Sequence, residues 1–193
     1  FKRKTAYEMR ESDWSSDVCS SDLDSSDFLL PAEELFQWTD RSSEMMTFDF
    51  LDKKERDYSM ASLMQAYRLG LIENPRLAAV EQRRQVENRR RRESLEKGET
   101  VYGPEQYSTI AYLHHELTDF KLAYASESAA IGSREVFRPI SREETRHFYE
   151  THKDLFTRYQ GDAFSYEDVE LIIRKKIREK EYEDAVQNIL CQL

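Results

Sequence analysis

A chain of 193 residues that is 39% hydrophobic and 35% charged, with only 5 glycines and 4 prolines, suits one helical domain and lacks the turn residues that sandwiches and barrels consume. Its formal charge of -9 opposes general nucleic-acid binding. No apolar run approaches the ~20 residues needed to cross a bilayer.

Near the N-terminus, Asp13 to Leu23 reads "DWSSDVCSSDL", which resembles the translation of a sequencing adapter. The Ser/Asp-rich run around it has too little apolar surface to offset its ordering entropy. Residues 1–23 are therefore expected to be an artefact or a disordered tail and are set aside from fold reasoning. Cys19 goes with them, which leaves Cys191 with no intramolecular disulfide, no CxxC pair and no zinc pattern. A single thiol fits the cytosol and also cysteine-poor extracytoplasmic proteins, so composition leaves the compartment open.

From Asp24 to Asp57 the pattern is irregular, with a short helix expected after Pro31 and "MMTFDFL" as an extended piece or a turn of helix. A helical domain is expected over 58–193. Met60, Leu63, Met64, Tyr67 and Leu71 recur at three- and four-residue spacing and predict a helix stopped by Gly70 and "ENP". Asn74 as cap with Pro75 in first position predicts a second helix running to Gly98. Its stripe (Leu77, Val80, Leu95) is sparse, so most of it should be solvated. After "GETVYGPEQYS", Pro104 is expected to open a third helix with a stripe of Ile110, Leu113, Leu117, Phe120 and Tyr124, closed near Gly132.

Ser141 with Glu144 three residues on forms a capping box for a fourth helix, whose buried side is expected to carry Phe148, Tyr149, His152, Leu155 and Phe156. Ser165 and Asp168 repeat the arrangement less ideally. They open a long terminal helix with Val169, Ile172, Ile173, Lys176, Ile177, Ala185, Val186, Ile189 and Leu190 inward. The fold class expected is all-α: an open or orthogonal bundle of about four to five helices, the long C-terminal one packing back on the earlier ones.

Chemistry is hard to find in these residues. His114/His115 point about 100° apart on a helix, and His147/His152 are out of register, so neither pair makes a chelate. Glu144 and His147 match one E-x-x-H spacing, but di-iron bundles need two such motifs and two further carboxylates. No nucleophile elbow or phosphate loop occurs. The run Arg89 to Arg92, with Arg83 and Arg84, could follow phosphates, yet Glu81, Glu87, Glu93 and Glu96 interleave with it and a solvated face is expected. No catalytic residue, cofactor or metal ligand is assigned.

Three stretches carry a family resemblance. "FRPISREETRHFYETHKDLF" resembles the segment leading into the parvulin domain of bacterial extracytoplasmic foldases, and "FSYEDVELIIRKKIREKEYEDAVQNIL" resembles the long helix that leaves it in SurA-like chaperone domains. "ENRRRRESLEKGETVYGPEQYSTIAYLHHEL" is similar to members with an E-N-x-R helix followed by a "YGP" turn. Only "TRYQGDAF" stands between Phe156 and Ser165, where an inserted isomerase would need about 50 residues or more. The resemblance therefore implies the chaperone half without the prolyl isomerase, and no enzyme.

The function expected on that basis is a non-catalytic chaperone or foldase accessory domain that binds unfolded or partly folded polypeptides through apolar grooves. Its location would be the bacterial cell envelope, with membrane attachment through an N-terminal signal and no nucleic-acid partner. Some of Met60, Met64, Tyr67, Tyr112 or Phe120 should then face a groove. The alternative is a structural bundle that docks one acidic partner through the arginine-rich helix Pro75 to Lys97.

Overall fold

The computed structural model describes residues 51–131, 137–157 and 161–193. Residues 1–23, the expected helix after Pro31, most of "MMTFDFL" and Gly132 lie outside the described residues. Within them the chain is a bundle of five α-helices: α1 (Lys53–Arg68), α2 (Leu77–Glu96), α3 (Thr109–Ala125), α4 (Arg142–Thr151) and α5 (Tyr166–Leu190), with a 3-10 turn at Lys153–Phe156.

α1 starts five residues before the expected boundary, because Asp52 accepts the Glu55 amide at 2.8 Å and caps it there. At its far end Gly70 adopts φ 75°, the left-handed conformation that ends the helix. α2 begins at Leu77 rather than Pro75. The Asn74 side chain accepts the Arg76 amide at 3.0 Å in a local turn instead of capping the helix. α3 begins at Thr109 under a Ser108 cap, not at Pro104, and ends at Ala125, before the Gly132 region.

Both serine caps of the C-terminal half form as the sequence predicts. Ser141 accepts the Glu144 amide at 3.1 Å, and Ser165 accepts the Asp168 amide at 3.3 Å while donating to the Asp168 carboxylate at 2.7 Å. At 25 residues, α5 is about 37 Å long at the usual helical rise, long enough to serve two cores in succession. Its C-terminal half places Tyr182, Val186 and Ile189 among Leu63, Leu77 and Leu113 from α1, α2 and α3. Its N-terminal half places Val169, Ile173 and Ile177 in a smaller cluster with Ile140 and Phe156. Full burial of one such aliphatic side chain contributes roughly 1.5–3 kcal/mol.

Several expected core positions prove to be surface. Ile172 is 50% exposed, Leu155 52% and Ile110 40%, and Leu95 on α2 is also open. His152 and Lys176 face solvent. The 3-10 turn explains Leu155, since it breaks the helical register after Thr151 and turns Phe156, not Leu155, into the small core. Cys191, expected to stand alone, is not a free thiol. No described helix is long and apolar enough to cross a membrane.

Candidate functional site

The histidines do not converge. His114 contacts Glu55 at 3.3 Å, and His115 contacts Asp119 at 3.4 Å while stacking on Tyr107 with ring centroids 4.9 Å apart. His152 stacks on Phe148 at 4.2 Å. Glu144 does not join His147: its carboxylate takes both arms of the Arg138 guanidinium, at 2.8 and 2.6 Å, which holds its pKa below the usual range. Among the described residues no group of His, Cys, Asp or Glu has the arrangement to hold a metal ion. Burial raises the Asp119 pKa, and the nearby His115 opposes the shift.

The arginine-rich helix is solvated along one side, with Arg89, Arg90, Arg92, Glu93 and Glu96 exposed as expected, whereas its other side turns inward. Glu116, buried on α3, receives two hydrogen bonds from Arg83, at 2.5 and 2.8 Å. Arg84 pairs with Glu81 and donates to the Tyr107 carbonyl at 2.8 Å. Asn88 forms a two-way bond with the Tyr107 backbone, donating at 3.0 Å and accepting at 2.7 Å. Arg91, 5% exposed, donates to the carbonyls of Tyr102 and Pro104 and lies over the Tyr107 ring at 4.7 Å.

These bonds hold the "YGPEQY" loop against α2, and turning its carbonyls toward the arginines delays α3 until Ser108. The loop needs Gly103 at φ 85°, with Arg91 Nη2 only 3.5 Å from where a β-carbon would sit. Asn88 of the E-N-x-R motif and Arg91 just after it thus join this helix and the YGP turn into one structural unit, while the motif's own Arg90 pairs with Glu87 at the surface. Arg89 and Arg92 remain exposed at its edge.

A second set of cations joins the two cores. Arg178, 3% exposed, donates to Glu127 at 2.8 Å, to Glu181 at 2.7 Å and to the Arg138 carbonyl, and lies over the Phe137 ring at 5.1 Å. Glu127 reaches it from a left-handed backbone conformation (φ 49°) just beyond α3, one that normally favours glycine and costs of order 1 kcal/mol.

The groove expected from Met60, Met64, Tyr112 and Phe120 does not form. All four are buried, because α5 and α3 close over α1. Tyr67 is half-buried. Exposed apolar side chains gather instead at the opposite end of α5. Leu171 is 77% exposed on one side of the helix, and Ile172, Leu155 and Phe164 stand open on the other. Leu155, Phe164, Val169 and Ile172 line an open, mostly apolar cleft of about 520 Å³, with Lys176 on its rim.

A shallower cleft of about 600 Å³ lies on the Leu171 side, between Pro139 and Lys175. Next to the first cleft, Thr157 and Ala163 pair as an isolated antiparallel bridge. Periodicity alone put Leu155 and Ile172 inside. The signal that could have corrected it is the adjacent apolar trio Leu171, Ile172 and Ile173, which one helix cannot bury on a single side.

No family model matches the chain. No curated protein matches it either. Among solved structures it is similar to the crystal structures of GH136 lacto-N-biosidase from Eubacterium ramulus, native and selenomethionine forms. Each superposes with a TM-score of 0.60 at 24% identity, covering 72% of this chain and 28% of that one. At that identity the likeness is one of fold, and the chain spans little more than a quarter of its neighbour's length.

Proposed function

We propose that this chain is a non-catalytic accessory domain that holds partly folded polypeptide against the apolar cleft at the N-terminal end of α5. The observation that carries the reading is the trio Leu155, Phe164 and Ile172, large apolar side chains left open around one cleft, with the exposed Leu171 on the neighbouring side of the helix. Contiguous exposed apolar surface of this kind marks interaction sites more often than monomer surface. Aliphatic and aromatic walls with few fixed hydrogen-bonding groups suit clients that share apolar character but no common sequence. The resemblance to SurA-like chaperone domains supports the same reading, with the cell envelope as the compartment it implies.

The full chain should suppress aggregation of a chemically denatured model protein at modest molar excess. Replacing Leu155 and Ile172 together by Glu should remove that effect while the circular-dichroism spectrum is unchanged. Folded wild-type protein without suppression would defeat the reading.

A second reading, a bundle dedicated to one large companion chain, is favoured by the superposition on part of a lacto-N-biosidase, where this fold is one portion of a longer polypeptide. In that case pull-down should return one dominant protein rather than many clients. The arginine-rich helix is the less suitable surface for it. Arg83, Arg84, Arg90 and Arg91 already hold acceptors within the chain, and charge reversal at Arg89 and Arg92 should leave capture intact.

A further inference from the structure

We propose that the outer face of α5 pairs with the same face of a second copy of this chain, antiparallel, about a two-fold axis passing between Leu171 and Ile172. Between Tyr166 and Arg178 the exposed residues are Glu167, Asp168, Leu171, Ile172, Lys175 and Lys176. They form three zones, one per helical turn, running acidic, apolar, basic along a single face.

A two-fold interface is isologous, so its surface must complement itself. Reversing the helix about its 171/172 midpoint brings Glu167 opposite Lys176, Asp168 opposite Lys175 and Leu171 opposite Ile172. Acid meets base at both ends and apolar meets apolar at the centre. In the parallel arrangement, like charges would face each other at both ends.

The relief of the face fits the same geometry. Residues four apart lie in rows, so 167, 171 and 175 make one ridge and 168, 172 and 176 the next. A ridge of one copy can seat in the groove between the two ridges of the other, with the helices crossing at about 50°. Leu155 and Phe164 flank the Ile172 ridge, and Pro139 flanks the Leu171 ridge, giving the incoming leucine and isoleucine apolar walls.

Local partners already engage part of the charge. Asp168 accepts from Ser165 at 2.7 Å, and Lys176 holds Glu179 at 2.7 Å. The ends therefore set direction and register while the apolar centre provides affinity. One helix crossing buries less than a standard interface of about 1,600 Å², which places the dimer in the micromolar range or weaker. The inference does not rest on polypeptide binding, although a dimer of this form would cover the same cleft.

Sedimentation equilibrium of the full chain from low to several hundred micromolar tests it. The wild type should pass from monomer to dimer. Leu171→Asp should stay monomeric throughout, and Glu167→Lys and Lys176→Glu should each weaken dimerisation about tenfold or more. Mixing those last two variants restores acid against base at both ends, so the mixture should form a heterodimer at least as tight as the wild-type dimer. Lys175→Glu provides a second basic-end variant should Lys176→Glu disturb the helix.

Wild type that stays monomeric over the range overturns the proposal. So does a dimer indifferent to Leu171→Asp, or a mixture that stays as weak as its components.

Discussion

The two halves of α5 belong to one continuous helix and have different surroundings. The C-terminal half is enclosed by α1 and α3, and Tyr182, Val186 and Ile189 are at most 1% exposed. Among the described residues the N-terminal half leans on α4, the 3-10 turn and residues 137–140, and its outer face carries the exposed Leu171 and Ile172. A continuous backbone ladder gives both halves the same secondary structure, whereas local stability follows how much apolar surface each half buries. The half with the thinner cover is also the half with the open cleft.

The sharpest way to break this contrast is to truncate one fully buried side chain in each core. Leu63→Ala should cost about 3–5 kcal/mol and lower the global melting temperature. Ile173→Ala should cost about 2–4 kcal/mol. Its damage should show by hydrogen exchange as lost protection in α4 and residues 166–177, with α1 and α3 amides unchanged. Equal loss across both halves would make the molecule one cooperative unit and erase the distinction.

Arg178→Met comes next, because this side chain joins the end of α3 and the strand of chain before α4 to the middle of α5. Leaving the Arg138 carbonyl and Glu127 without this donor, and Glu181 with the Arg138 guanidinium only, should cost about 2–3 kcal/mol, read as a shift in the urea midpoint. If the two cores are coupled through this residue, the variant should also unfold in two resolvable steps.

Asn88→Ala removes both bonds to the Tyr107 backbone and should cost about 1–2 kcal/mol, with faster exchange confined to the loop and the start of α3. Loss of protection at α4 in that variant would contradict the separation of the two ends.

The smallest effect expected is on acid stability. The hydrogen bond from Arg84 holds the Glu81 pKa at about 2, against an ordinary 4.5. A folded pKa below the unfolded one means stability that is fully present above about 4.5 and lost as pH falls toward 2. For a pair this close to solvent it amounts to about 1 kcal/mol or less. Glu81→Gln should flatten the acid limb of the stability profile by that amount and leave the neutral region within error.

Much of the architecture can be read along the chain. Ser141 and Ser165 announce α4 and α5 because a cap is a contact between residues three apart, complete within the local segment. Gly70 and Gly98 end helices where they stand, at φ 75° and 74°, for an equally local reason. Asn74 misleads because its side chain closes a competing local turn on the Arg76 amide, and Pro104 because the loop carbonyls around it turn to Asn88 and Arg91 rather than opening a helix.

The candidate site is the least legible part. Periodicity shows that Leu155 and Ile172 could be buried, but whether a neighbour arrives to bury them depends on distant chain. Likewise nothing in "ENRRRR" reveals which arginines face carbonyls and which face water.

Sequence by itself determined an all-helical chain and most helix positions, because these depend on hydrogen bonds and spacings within a few residues. Only the tertiary structure decided that one long helix serves two cores, that Arg91 and Arg178 are interior clamps, and which apolar residues stay open. Those outcomes depend on surfaces meeting across dozens of intervening residues, where burial is shared between elements and no single segment specifies it.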